Sequence, residues 1–239
     1  MAGTTHVYAG VAATVGMEHQ GTLGGVFRVE AGDKKWEQLK NGLADGAEVH
    51  AITVHPSDSD TVFVGSTKGL YRSANRGGKF ERLPLPDAEA DIWSVLVHPK
   101  QPRRIYAGAS PIAVYRSDDG GEHWEDMEIG RFSPLTYGRD IRTSPHDPKV
   151  LYAALSPAAR STDGSIYRSD DVGKTWKRFD HGIKAEATMM GVAVHPRDPN
   201  QVYGVSRFGQ VFGTQDGGRS WKETRLPEGV RDAYAVACG

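Results

Sequence analysis

The sequence predicts an all-β chain, a five-bladed β-propeller with four antiparallel strands per blade closed by its C-terminal strand joining the N-terminal blade. Three observations predict it. A fourteen-residue segment recurs five times, a strand–turn–strand pattern precedes the later copies, and glycine makes up 29 of 239 residues, well above the usual ~7%. The recurring segments are VFRVEAGDKKWEQL (26–39), LYRSANRGGKFERL (70–83), VYRSDDGGEHWEDM (114–127), IYRSDDVGKTWKRF (166–179) and VFGTQDGGRSWKET (211–224). Their shared aromatic falls at Trp36, Phe80, Trp124, Trp176 and Trp221, at spacings of 44, 44, 52 and 45 residues.

The preceding pattern reads AITVHPSDSDTVFVGS (51–66), SVLVHPKQPRRIYAGAS (94–110), DIRTSPHDPKVLYAALS (140–156) and GVAVHPRDPNQVYGVS (191–206). Each is an apolar run, a proline-containing turn and a β-branched or aromatic run, the signature of two strands joined by a turn. One period is therefore four strands, A to D, and about 45 residues is the size of one blade. The chain opens on THVYAG, which matches strand B, and ends on RDAYAVACG, which matches strand A. The C-terminus is thus expected to supply the missing inner strand of blade 1 and to remove the exposed edges. The blades are 5–39 with 231–239, then 48–83, 91–127, 137–179 and 188–224, in a single domain.

Composition narrows the partners. Lys and Arg number 29 and Asp and Glu 30, a net charge of −1. That balance argues against nucleic acid and against a polybasic membrane surface. No apolar run approaches the roughly 18 residues of a membrane helix. The apolar N-terminus has no basic residue ahead of it and reads as folded structure, so a cytoplasmic, soluble protein is expected, as a monomer or weak oligomer. The single cysteine, Cys238, excludes an internal disulfide and a multi-thiolate metal site.

The C–D turns carry a resemblance. Ser117-x-Asp119-x-Gly121-x-x-Trp124, Ser169-x-Asp171-x-Gly173-x-x-Trp176 and Thr214-x-Asp216-x-Gly218-x-x-Trp221 resemble the Asp-box, or BNR repeat. The second copy is weakened to Ser73-x-Asn75-x-Gly77-x-x-Phe80, and the first keeps only Trp36. The short acid or amide accepts backbone hydrogen bonds, glycine takes a conformation other residues resist, and tryptophan packs the turn on its blade. The resemblance implies a propeller of the group that holds sialidases, other glycosidases, sortilin-like receptors and a photosystem assembly factor. It implies fold rather than activity. A sialidase is excluded: its FRIP-like arginine motif is missing, and sialidases have six blades and longer chains.

Candidate chemistry lies where the repeat is broken. Of the nine histidines, His55, His98, His195 and His146 sit in repeat-equivalent A–B turns, His123 sits in a box and His6 precedes strand B on the same bottom face, which leaves His19, His50 and His181 for the opposite, top face. The B–C linker is 3 residues in blades 2 and 3 and 4 in blade 5, but 13 in blade 1 (13–25) and 9 in blade 4 (157–165). Surplus loop on a rigid scaffold is where function concentrates, and these two loops would wall a cleft above blade 5. Equivalent inner-strand positions hold Glu48, Asp91, Tyr137, Thr188 and Arg231, then His50, Trp93, Arg139, Met190 and Ala233, a mixture that suits a binding site better than a structural ring.

Three readings follow. A hydrolase or lyase would use His50 with His19 or Glu18 as acid and base. Its substrate, a carbohydrate or other anionic small molecule, would be bound by Arg139, Arg160, Trp93, Tyr137, Tyr234 and Asp91. The three aromatics serve equally as a stacking platform or as core. A non-catalytic carbohydrate-binding, protein-binding or assembly module is the competing class. A metalloenzyme would gather a divalent metal on His19, His50 and His181.

Overall fold

The computed structural model describes residues 5–12, 25–228 and 232–239. It is all-β, with five antiparallel sheets, one per repeat. The first sheet holds β1 (His6–Val11), β2 (Gly25–Glu30) and β3 (Glu37–Leu39). The second holds β4 (Val49–His55), β5 (Asp58–Ser66), β6 (Gly69–Ser73) and β7 (Glu81–Arg82). The third holds β8 (Asp91–Val97), β9 (Ile105–Ser110), β10 (Ala113–Ser117) and β11 (Glu125–Asp126). The fourth holds β12 (Tyr137–Thr143), β13 (Leu151–Ser156), β14 (Ser165–Ser169) and β15 (Lys177–Arg178), and the fifth β16 (Met189–Val194), β17 (Val202–Ser206), β18 (Gln210–Thr214) and β19 (Lys222–Arg225). In every sheet the spatial order follows the chain, so each repeat is an up-and-down meander. Among the described residues no helix is long and apolar enough to cross a membrane.

Burial grades across each meander. Strand B is the apolar centre: β13 is buried along its whole length, and β9 at all but its last residue. Strand D is short and exposed, as its charged pairs Glu81–Arg82, Glu125–Asp126 and Lys177–Arg178 require. The chain divides into two compact units, Met1–Ala107 with Ser117–Glu125, and Gly108–Arg116 with Asp126–Gly239. In the first, Val26, Leu39, Val49, Val62, Val64, Tyr71 and Phe80 form one core cluster. In the second, Val150, Tyr152, Ile166, Met189, Val192, Val202 and Phe212 form another, with Phe179 and Trp221 packed against it.

The expected closing strand is not seen. Among the described residues the first sheet has three strands, β1 pairing with β2 and β2 with β3, and Asp232–Gly239 forms no strand. The backbone of that segment is engaged elsewhere in the second unit. Ala233 N–H donates to the Arg207 carbonyl at 2.8 Å, and the Ala235–Val236 backbone lies against Gly191. Cys238 there is half-buried, and its burial raises the thiol pKa.

The C–D turns are built alike in four repeats. Ser117 Oγ donates to Asp119 Oδ1 at 2.8 Å and accepts the Gly121 N–H at 2.8 Å, while His123 N–H donates to Asp119 Oδ1 at 3.0 Å. The same three bonds recur through Ser73, Asn75, Gly77 and Lys79, through Ser169, Asp171, Gly173 and Thr175, and through Thr214, Asp216, Gly218 and Ser220. Donors aimed at a carboxylate favour its charged form. The Ser220 hydroxyl and N–H, with the Thr214 hydroxyl, bring Asp216 down to about 2, and the His123 N–H and ring with the Ser117 hydroxyl hold Asp119 far below the usual range.

These turns also lock onto the preceding repeat. A Cβ on Gly77 would meet Leu39 at 2.4 Å and one on Gly218 would meet Phe179 at 2.5 Å, while Gly121 faces Leu83 and Gly173 faces Met127. Leu39, Leu83, Met127 and Phe179 are equivalent, each the last residue of its repeat segment. The strand-C arginines add a second lock. Arg28, Arg72 and Arg116 donate to the carbonyls of Arg76, Gly120 and Val172 at 2.6, 3.0 and 3.1 Å. Those three carbonyls belong to the residue before the box glycine, in the left-handed region each time (φ 59, 84 and 64°).

The first repeat differs. Without the serine, acid and glycine its tryptophan has no turn to pack, and Trp36 is 45% exposed where Trp176 is 3% exposed. The A–B turn histidines are structural at His98 and His195, whose Nδ1 atoms each accept two backbone N–H groups at 3.1 Å. Ser144 Oγ does the same work in the fourth repeat, accepting from His146 N–H at 3.2 Å.

Candidate functional site

The inner strands carry a feature that periodicity alone does not reveal. In the second, fourth and fifth sheets the A–B register slips by one residue near the start of strand A, between Val49 and Ala51, Gly138 and Asp140, and Met189 and Gly191. The extra residues are His50, Arg139 and Met190. A β-bulge leaves one residue unpaired and re-aims its side chain, and bulges concentrate beside functional sites. The chemically mixed positions picked out by repeat alignment are thus positions where the ladder is deliberately broken.

In the first unit His50 lies flat on Trp93, centroids 3.8 Å apart and planes at 13°. Its Nε2 stands 3.7 Å from Asp91 Oδ1, too long for a hydrogen bond, and neither atom has a hydrogen-bond partner among the described residues. The His50 side chain is only 7% exposed and the Asp91 side chain 33%. Both facing atoms are buried and unsatisfied, a rare state that calls for a structural or functional reason. Glu48, beside His50, is tied by its backbone to Thr67, with Glu48 N–H donating to Thr67 Oγ1 at 3.1 Å and Thr67 N–H to the Glu48 carbonyl at 3.0 Å.

The second unit holds a cleft of about 430 Å³ lined by Arg160, Ser161, Thr162, Arg207, Phe208 and Asp232. One wall is the surplus loop of the fourth repeat, another the B–C turn of the fifth, and the third the C-terminal segment. Thr188 fastens the first wall: its Oγ1 accepts the Ser161 N–H at 3.0 Å and lies within 3.2 Å of the Ala158 and Ala159 carbonyls. Arg207 joins all three, donating through Nε to Asp232 at 2.6 Å and through Nη1 to the Ala159 carbonyl at 3.3 Å, while its backbone N–H donates to the Thr188 carbonyl. Phe208 stands 60% exposed. Tyr234 is 53% exposed, with the Arg139 guanidinium 5.7 Å from its ring centroid, a cation–π contact.

Of the sequence-predicted residues, the structure brings His50, Asp91 and Trp93 together, and places Arg160 in the cleft and Arg139 on Tyr234. Tyr137 is buried, as the core alternative for it expects. Glu18 and His19 lie outside the described residues. His181 is exposed in the turn after β15. Among the described residues no three His, Cys, Asp or Glu side chains gather to hold a metal. Sequence reasoning missed Arg207, Phe208 and Asp232. The available signal was small: the B–C connection of the fifth repeat has one residue more than those of the second and third.

Comparison with known proteins completes the description. The family model for sortilin, neurotensin receptor 3 (Sortilin-Vps10) matches residues 164–236. A xyloglucanase of Hypocrea jecorina is 29% identical over 65% of this chain and 19% of its own length. The chain spans about a fifth of the length of the curated xyloglucanases it matches. The structure of a GH74 xyloglucanase from Xanthomonas campestris superimposes with a TM-score of 0.65 at 17% identity, covering 92% of this chain and 36% of that one. A structure of YCF48 bound to D1 peptide gives a TM-score of 0.56 at 19% identity, covering 80% of this chain and 57% of that one. The likeness in structure shows a β-propeller-like fold, and several of the curated relatives in sequence are xyloglucanases.

Proposed function

We propose that this chain is a carbohydrate-active propeller, a hydrolase acting on a polysaccharide of the kind cleaved by the xyloglucanases it resembles, with sugar bound in the cleft of the second unit. On this reading the box turns are Asp-boxes and the five sheets are the blades of one ring. The observation that carries it is the cleft. Sugar rings present apolar faces and hydroxyl edges, so they are held by exposed aromatics with polar groups alongside. Phe208 supplies the aromatic, and Ser161, Thr162 and Arg160 supply hydroxyls and a fork of donors. Two departures from the repeat meet here, the surplus loop of the fourth repeat and the longer B–C turn of the fifth. Similarity to xyloglucanases in sequence and fold supports the same substrate class.

Hydrolysis also needs a group that gives a proton to the leaving oxygen and one that takes a proton from water. In the first unit, taken by itself, His50 and Asp91 are an imidazole and a carboxylate whose chemistry suits such a pair, and the His50→Ala assay below asks whether they serve the reaction. Incubation with xyloglucan, followed by a reducing-end assay, tests the proposal. Release is expected from the wild type, with Phe208→Ala raising KM and His50→Ala lowering kcat. Unaltered kcat in His50→Ala overturns that assignment.

A second reading is favoured by one observation. The carboxylate that lines the cleft, Asp232, is held by Arg207, which leaves no free acid there. If the wild type binds polysaccharide and releases no reducing ends, the protein is a binding module, as the peptide-bound YCF48 neighbour illustrates for this fold.

A further inference from the structure

The proposal that follows rests on the carbohydrate reading of the cleft and adds the class of sugar. The two cleft arginines are not alike. Arg207 is consumed by structure, since its guanidinium is shared between Asp232 and the Ala159 carbonyl. Arg160 lines the same space and makes no hydrogen bond or ion pair with any other described residue. Asp232 cannot balance it, being 2.6 Å from Arg207. The Arg139 guanidinium, over Tyr234, adds a second positive charge in the same unit. A neutral sugar that covered Arg160 would strip water from a full charge and return only ordinary hydrogen bonds. A carboxylate returns a charge-assisted, two-pronged contact with the planar guanidinium. The loop that presents Arg160 is held in place by Thr188. The arginine is therefore offered from a positioned backbone, which lowers the ordering cost of binding.

We propose that this cleft selects glycans that carry a carboxylate, that is, sugars containing uronic acid, and that Arg160 reads the charge while Phe208 stacks on the sugar ring irrespective of charge. Calorimetric titration tests it with three probes: galacturonic acid tetramer, cellotetraose and a xyloglucan heptasaccharide. At about 50 mM salt, where screening is weak, the acidic tetramer is expected to bind at least about tenfold tighter than either neutral probe. Raising the salt should shrink that ratio. Arg160→Gln should bring the three affinities together, and Phe208→Ala should weaken all of them by a similar factor. Circular dichroism confirms that both variants fold.

The outcomes are separable. If the neutral probes bind as tightly as the acid, or if Arg160→Gln keeps the preference, the acidic-glycan proposal is overturned and the carbohydrate reading survives. If none of the three binds the wild type, both fall.

Discussion

The two ends of each meander obey different rules. At the end that carries the C–D turns, four of five repeats make the same bonds from equivalent side chains, a hydroxyl and an acid or amide, with hydroxyl–carboxyl and hydroxyl–glycine distances that agree within about 0.1 Å. At the end that carries the B–C connections the repeats part company: a three-residue turn in the second and third repeats, the surplus loop with Arg160 in the fourth, and the Arg207–Phe208 turn in the fifth. Repetition marks what every sheet needs in order to stand. Its absence marks what one place does for the whole chain.

The sharpest way to break this comparison is to remove tryptophan from a complete turn and from an incomplete one. Trp176→Ala empties a buried site and should cost about 3–5 kcal/mol. Trp36→Ala acts on an exposed ring and should stay within about 0.5 kcal/mol. Chemical denaturation reads both, and equal losses would mean that the first repeat is built like the others.

Next in size is a pair of glycines. Gly218 and Gly182 both have positive φ, 89° and 84°, but a Cβ meets Phe179 at 2.5 Å in the first case and nothing within 4 Å in the second. Gly182→Ala should cost about 1–2 kcal/mol for conformation alone, and Gly218→Ala clearly more. Equal midpoints in urea would remove the inter-repeat lock from the explanation.

At the other end, replacing residues 157–164 with the three-residue turn of the second repeat (67–69) should move Tm by no more than about 4 °C, corresponding to about 1 kcal/mol. It should abolish the acidic-sugar preference. A large fall in Tm would show that the loop is scaffold.

The smallest effect is set by pH. The folded pKa of Asp216 is depressed to about 2, below its value near 4 in an unfolded chain. Its contribution is therefore complete above about pH 4 and is lost as pH falls through about 2. Asp216→Asn keeps the acceptor geometry, as Asn75 does naturally in the second repeat, and removes the titration. The Tm difference between wild type and variant should be constant above about pH 4 and should shrink below it; a constant difference down to pH 2 would refute the linkage.

Most of the architecture was legible in the sequence because it is periodic: strand order, sheet number and box turns follow from residues that recur at fixed offsets. The cleft was half legible. The surplus loop and Arg160 stood out against the period, and so did His50 and Asp91. Phe208, Arg207 and Asp232 did not, because their roles come from three chain segments meeting, and no local pattern encodes a meeting. Tyr137 stayed open between stacking and core for the converse reason: an aromatic at a strand end looks the same in sequence whether it is buried or exposed. The missing fourth strand of the first sheet was not legible because the C-terminal residues match strand A in residue type, and the bond from Ala233 N–H to the Arg207 carbonyl is not written in that match.

The locks between repeats point one way along the chain: arginine and the terminal apolar residue of one repeat grip the box of the next. In the fifth repeat the arginine position is Gly213 and the terminal position is Thr224, while the box that is missing belongs to the first repeat. The locks therefore give the chain a reading direction: a copy of the third repeat spliced after the third brings both a socket for the repeat before it and a knob for the repeat after it, and should be read as one more clause.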